Sequence, residues 1–351
     1  MARIRHTVLC RNVVALLMAA GLDRDKAQVV GDVLVEADLI GHDTHGVELL
    51  DTYLDALASG RMRGNGDIEV VNDRGSCVTW DGRRLPGGWL VKKAMELGYE
   101  RLRQHGVVTF AIGNSHHIGA LAVYLRDAAE KGYIAQIRCS TASAARMAPF
   151  GGIRPVFTPN PLAEGYPTDG DPVMIDISSS ITTTSMTQTL AREGRRYPEK
   201  WALTAEGEPT DDPRAVTEGG GTLLPLGGSL KGHKGYGMAL GVDLMTQGLA
   251  GFGRVDHPDH MALAVFVQLI DPQAFAGLDA FVRQSSYTTQ LCRATPAMPG
   301  AGAVRVPGDA AARKRRDALE KGLDIPDALL ERLERRAQKA GVAWENAGMP
   351  A

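Results

Sequence analysis

The segment NSHHIG sets two histidines, His116 and His117, directly behind the apolar run VVTFAIG. An imidazole titrates near pH ~6.5, so either ring could exchange a proton with a hydroxyl or an amine close to neutrality. Adjacent residues on a regular element point apart, which lets one ring enter a cleft while the other packs. Asn114, Ser115 and Gly119 make a loop at a strand end, where functional side chains collect. Each ring alone has an alternative as a buried structural histidine. A second pair, His42 and His45, stands in GHDTHG between glycines that allow a tight turn. Their spacing would suit a metal on a helix, but Gly41 and Gly46 oppose a helix there and no HExxH surrounds them. His42 is therefore read as a polar turn residue, and no metal is expected. In GGSLKGHKGYG, Lys234 on a Gly-rich turn suits a pyrophosphate or carboxylate, or is a solvated lysine. Asp176 ends the strand VMID and could accept hydrogen bonds from a ribose, or simply cap the next segment.

The common nucleotide signatures do not account for these residues. No GxGxxG lies between a strand and a helix, and in GGSLKGHKG Gly232 is followed by His233 where a phosphate loop needs lysine. A dinucleotide, if bound, needs another architecture.

The elements that must carry the residues can be read from periodicity. Val30, Val33, Leu34 and Ala37 recur at helical spacing behind Asp23, Gly41 ends that helix, and a third helix runs through Leu49, Leu50, Tyr53 and Leu54 to Ser59-Gly60. IEVV and SCVTWDG read as strands joined by a turn at residues 72–75. A helix over 88–105 leads to VVTFAIG, and a helix over 120–131 precedes the strand YIAQIRCS. Residues 148–170 read as ordered loop, VMIDIS and LAVFVQLID as strands, 238–249 as an apolar helix, and 309–340 as a charged helical tail with Leu329, Leu330 and Leu333 on its buried edge. This order is α/β. At 351 residues two domains are expected: a mainly helical one from 1–70 plus 295–351, and an α/β cofactor-binding one over 71–294.

A net charge of −2 offers no basic field for nucleic acid or an anionic membrane surface. The short apolar run over 13–20 passes into an amphipathic helix instead of a cleavage site, and no run approaches the ~20 residues of a membrane span. Cys10, Cys77, Cys139 and Cys292 have no CxxC spacing and are expected to be reduced and mostly buried. These features imply a soluble cytoplasmic protein whose partners are small molecules and copies of itself.

Together, the segments ADLIGHDTHGVELLDTYL, GNSHHIGALAVYLRDAAEKGYI, APFGGIRPVFTPNPLA, VMIDIS, WALTAEGEPTDDP and LLPLGGSLKGHKGYGMALGVDLMTQGLAGFG resemble the malate/L-lactate dehydrogenase family that lacks the Rossmann fold. Ureidoglycolate dehydrogenase, diketogulonate reductase and piperideine carboxylate reductase are among its members. The segments occur in the family's order, from about residue 5 to 325. The resemblance implies a non-Rossmann α/β fold, with helical N- and C-terminal parts packed around a central mixed-sheet NAD(P)-binding domain. It implies hydride transfer between NAD or NADP and a 2-hydroxy acid, 2-keto acid or cyclic imino acid. It puts the acid/base role on His117, the Ser-His pair of the first turn on Thr44 and His45, and an active-site tyrosine on Tyr53. Cofactor contacts fall on Thr141, Asn160, Asp176, Ile177, Ser178, Lys234 and Asp309. A homodimer or larger homo-oligomer, with the cleft completed by the second subunit, is implied as well.

The departures bear on substrate. The family's HGVxR arginine, which grips the substrate carboxylate at two points, is Leu49 here, beside Glu48. A charge-assisted bidentate contact is lost unless Arg146, Arg154 or Arg254 replaces it. The family's GTNP is Thr158-Pro159-Asn160-Pro161, and its Gly-Lys after the aspartate strand is Ser185-Met186. Two other readings stand beside a dehydrogenase of altered substrate: a cofactor-binding paralogue that has lost catalysis and serves a regulatory or structural role, and a metal-dependent lyase or hydrolase built on His42, His45, His116 and His117.

Overall fold

The structure, a computed structural model, describes residues 2–345. Its centre is a seven-stranded sheet: β1 (Glu69–Asp73), β2 (Cys77–Asp81), β3 (Val107–Ser115), β4 (Ile134–Thr141), β5 (Leu162–Tyr166), β6 (Val173–Ile177) and β7 (Leu263–Ile270), in spatial order β1-β2-β3-β7-β4-β5-β6. Only β2 and β3 run parallel; the other neighbours are antiparallel. A parallel pair needs a crossover, supplied by the helix Gly87–His105. That helix turns Leu90, Val91, Ala94, Met95 and Leu102 inward and stops at Gly106, whose φ of 68° is the left-handed conformation glycine takes at a helix end. Gly98 lets it approach the sheet, since a Cβ there would collide with Leu269.

β7 explains why one end of the sheet collects function. It is buried through Leu263–Val267 and lies between β3 and β4, with Leu263 opposite Ser115 on one side and Thr141 on the other. The C-terminal ends of β3 and β4 therefore meet at the start of β7. β6 ends on the same side, because Ile177 pairs with Leu162 at the start of β5.

The helix Arg24–Leu39 joins the terminal parts to this sheet by burying two faces. Val30, Leu34, Val35 and Leu39 pack with Leu9, Val13, Leu17, Leu50 and Tyr53, and with Leu329, Leu333 and Ala337 from the helix Asp327–Lys339. Val33, Ala37 and Ile40 pack with the sheet cluster around Trp80, Trp89, Phe110 and Tyr124. The chain ends also meet directly, with Ala2–Ile4 antiparallel to Leu323–Ile325. Met147, Phe157, Leu190, Tyr197, Ala202, Leu223 and Ala239 form a third, smaller cluster.

Several local expectations need correction. The 148–170 stretch contains β5; a five-residue strand holding Gly165, set among prolines, carries little local signal and is fixed by its two neighbours. GHKGYG is not a turn: helix His233–Asp243 begins inside it, and Gly235 is needed because a Cβ would strike Leu226 and the Ser179 carbonyl. The turn between β1 and β2 is one to two residues later than read, since Asn72 and Asp73 are still paired. The helix over 120–131 is a 3-10 turn, Leu121–Tyr124, followed by Leu125–Glu130. Helix Leu278–Ala294 was not foreseen, and the tail is two helices, Asp309–Lys321 and Asp327–Lys339, separated by the Leu323–Ile325 strand. Only Cys139 is buried; Cys77 and Cys292 are exposed and Cys10 half-buried, all of them free. No helix among the described residues is long and apolar enough to cross a membrane.

Candidate active site

His117 follows the end of β3, where the chain leaves the sheet toward the Leu121–Tyr124 turn. Its Nδ1 lies 2.8 Å from the hydroxyl of Tyr53 and accepts a longer bond, 3.3 Å, from the Gly119 N–H. An amide can only donate, so Nδ1 is an acceptor in this arrangement, Tyr53 donates to it, and the neutral ring carries its proton on Nε2. Tyr53 is buried on the helix Leu50–Ala58, which belongs to the terminal cluster, so this bond spans the two halves of the fold. His45 stacks against His117 with ring centroids 5.9 Å apart and 25° between planes. Thr44 Oγ1 is 3.0 Å from His45 Nδ1 and orients that ring. The four residues expected to act in catalysis thus come together although 73 positions of sequence separate Thr44 from His117.

Burial dominates the charge state of this cluster. It lowers His117 to about 3, with help from His45 and His116, and lowers His45 to about 4, with help from His42. All three cluster rings are neutral at pH 7, because a charged ring would lose its hydration inside the protein. His116 is 1 % exposed, meets Tyr53 edge to face at 5.7 Å, and leaves a buried Nδ1 without a partner. Burial, then His260 and Arg61, lower it to about 4. Since the unfolded chain takes up the proton near pH ~6.5, stability is full above that value and is lost as pH falls toward about 4. Between pH 6.5 and 5 the wild type should lose roughly 1.5 kcal/mol more than His116→Asn. Parallel urea titrations check this; equal losses would show that the ring is not held neutral.

Six of the seven expected cofactor residues lie at the same sheet end. Thr141 ends β4, Asp176 and Ile177 end β6, and Ser178 follows directly. Asp176 Oδ2 accepts the Ala122 N–H at 2.9 Å, and burial raises its carboxyl while His42 opposes the rise. His42 is thus half-buried and faces Asp176 electrostatically, more than the plain turn residue expected of it. Asn160 is fully buried with φ 42°. Its Oδ1 accepts from Thr158 at 2.8 Å, and its Nδ2 donates to Ala239 O at 2.9 Å and to Asp243 Oδ1 at 2.7 Å. Its side chain is consumed inside the protein, and its backbone carbonyl accepts from Ser179 Oγ at 2.8 Å. Lys234 is exposed in the first turn of His233–Asp243 and has no acceptor among the described residues. Asp309 is the exception. Its carboxylate is gripped by Arg293 at 2.7 and 3.2 Å, and the preceding Gly308 packs on Pro172 and Met174, at the other end of β6.

The position of the lost arginine is filled by Leu49, which packs half-buried on the terminal cluster. Arg254 does not replace it: Asp243 Oδ2 holds its Nε at 3.1 Å and Ala144 O its Nη1 at 2.9 Å. Arg146 and Arg154 are exposed on the 144–157 stretch, with Arg146 bonded to its neighbour's carbonyl. Among the described residues, no group of three or more His, Cys, Asp or Glu could hold a metal ion. Sequence reasoning missed Asp243 and the bond of His260 Nε2 to Asn114 Oδ1 at 3.0 Å, whose partners are remote in sequence. It also missed Asp38, which sits within a helix and gives no local sign that its side chain reaches Val47.

A model of the malate/L-lactate dehydrogenase family matches residues 4–334. The chain belongs to that family. It is an oxidoreductase acting on CH–OH groups. It is 31% identical to the malate dehydrogenase of Pyrococcus abyssi over 97% of this chain and 95% of that one. It is 30% identical to the L-sulfolactate dehydrogenase of Methanothermobacter thermautotrophicus over 91% of each. Among solved structures, malate dehydrogenase from Entamoeba histolytica superimposes with a TM-score of 0.91 at 25% identity, covering 97% of this chain and 98% of that one. The mixed sheet with its flanking helices is the fold these family members share.

Proposed function

We propose that the protein transfers a hydride between a 2-hydroxy acid and NAD or NADP, with His117 carrying the hydroxyl proton. The observation that carries this reading is the contact of His117 Nδ1 with Tyr53 at 2.8 Å. In the tautomer that acts on substrate, the single ring proton has moved from Nε2 to Nδ1 by exchange with water, and the Tyr53 hydroxyl, which unlike the Gly119 amide can turn round, accepts from Nδ1–H. Nε2 is then free to take the substrate's hydroxyl proton as the alcohol is oxidised, and to return it to the alkoxide oxygen in the reverse direction. The neutral His45, oriented by Thr44, is placed to donate a hydrogen bond to the same oxygen.

The residues fit a nicotinamide dinucleotide. Lys234 offers an uncompensated cation at a helix N-terminus, where amide dipoles also favour a phosphate. Asp176, Ile177, Ser178 and Thr141 would line the rest of its bed, with the buried Asn160 holding it from behind through Ser179, and Asp309, tied to Arg293, has the weakest claim. When bound, the nicotinamide supplies the hydride acceptor or donor. Free cysteines support a reducing, cytoplasmic setting. Leu230 and Val255, each 84% exposed, and the exposed Leu244 support a homodimer that covers them.

The reading is tested by offering L-malate, L-lactate and sulfolactate with NAD and NADP, together with the corresponding keto acids and a cyclic imine with the reduced cofactors. Turnover of at least one pair is expected. Tight cofactor binding with no turnover of any would instead favour a paralogue that has lost catalysis, as the change at Leu49 allows.

A further inference from the structure

We infer that Asp38 is a positioning residue for this reaction: it clasps both ends of the GHDTHG turn and thereby sets Thr44 and His45 against His117. Its place near the end of the helix Arg24–Leu39 lets it reach the turn twice. Its backbone carbonyl accepts the Gly41 N–H at 3.0 Å, and its carboxylate Oδ2 accepts the Val47 N–H at 2.9 Å. Between these anchors the turn is held by the 3-10 bonds His45 N–H to His42 O at 2.7 Å and Gly46 N–H to Asp43 O at 3.3 Å. Such short turns have poor hydrogen-bond geometry and are weakly held alone.

The carboxylate also explains Gly46. The φ there is −88°, which any residue adopts, so glycine is not required by a left-handed backbone. It is required because a Cβ would collide with both carboxylate oxygens of Asp38. The turn is thus closed down onto a side chain that is only 9 % exposed. Burial, with Asp43 and Glu48 adding to it against the Val47 bond, raises the Asp38 carboxyl to about 7. An amide of the same shape should therefore be accepted, because the group needs to offer an acceptor to Val47 more than to carry a charge.

The inference rests on the functional reading above, and its test separates the two. In steady-state kinetics, Asp38→Ala should lower kcat by about 100-fold, the order of effect of displacing a reacting group by about 1 Å. KM for the cofactor should change far less than kcat, because the expected cofactor residues lie on other elements and His42 of this turn reaches one of them, Asp176, through its field. Asp38→Asn should restore most of kcat. Wild-type kcat in Asp38→Ala, or an Asn variant as impaired as Ala, would overturn the inference. A readout free of turnover and of the Ala variant's folding is the Val47 amide, followed by hydrogen exchange in wild type and Asp38→Asn. It should be protected in both; exchange at the rate of an open loop amide in wild type would overturn the inference. Absence of turnover in wild type would count against the functional reading alone.

Discussion

Replacing His117 with alanine should lower kcat by about 10²- to 10⁴-fold, the range for loss of a positioned acid/base, with cofactor affinity unchanged. The expectation follows from position. His117 is the ring that meets Tyr53, Gly119 and His45 together, whereas the expected cofactor residues sit on β4, β6 and the helix His233–Asp243. The variant also leaves the Tyr53 hydroxyl and the Gly119 amide without their acceptor, at about 1–3 kcal/mol of stability for a buried group. The assay must therefore be run well below the variant's melting temperature. Tyr53→Phe separates orientation from proton transfer, since it keeps the imidazole and removes only its partner. A His117→Ala enzyme within a few-fold of wild type would move the proton to another group, and His45 at 5.9 Å is then the candidate.

The second large effect is on folding. Asn160→Ala should destabilise the protein by about 3–5 kcal/mol, read as a shift of the urea midpoint. The side chain makes three internal bonds, to Thr158, Ala239 O and Asp243; the bond from Ser179 Oγ, at 2.8 Å, goes to the backbone carbonyl of Asn160 and survives the substitution. Asp243 is shared with Gln247 and Arg254. Removing the Asn160 amide leaves the buried Thr158 hydroxyl without its acceptor and takes from Asp243 Oδ1 its nearest donor, and the positive φ of 42° adds about 1 kcal/mol for a residue with a Cβ and no local bonding. Asn160→Asp should be worse than Ala, since it brings a second carboxylate to 2.7 Å from Asp243 Oδ1. Equal stability of all three proteins would mean that this network contributes nothing.

The two predictions touch sites of unequal legibility in the sequence. The pair His116 and His117 stands out locally, because an apolar strand ending in Asn-Ser-His-His states its element, while the choice of His117 rests on the family resemblance. Tyr53, Thr44 and His45 needed the family resemblance, since nothing local says that a helix near residue 50 meets a strand end near residue 115. Asn160 falls at a cofactor position by resemblance, while its side chain is turned inward to Asp243, 83 residues on, a contact no local pattern announces. The Arg293 partner of Asp309 is equally hidden, as it lies on the helix Leu278–Ala294, which the local pattern does not announce. That helix buries only Ser286 and Thr289, so its apolar periodicity is weak. β5 and the helix start at His233 were hidden by glycines, which signal turns locally but serve here for close packing at Gly165 and Gly235.

The central claim, hydride transfer between a 2-hydroxy acid carbon and nicotinamide, is tested most directly by isotope. The protein is incubated with NAD or NADP and 2-hydroxy acids carrying deuterium at C2, and the reduced cofactor is weighed by mass spectrometry. One deuterium should appear in the reduced nicotinamide, and His117→Ala should slow its appearance. Oxidation of the acid with no label in the nicotinamide, or no oxidation of any 2-hydroxy acid by a protein that binds the cofactor, would contradict the claim.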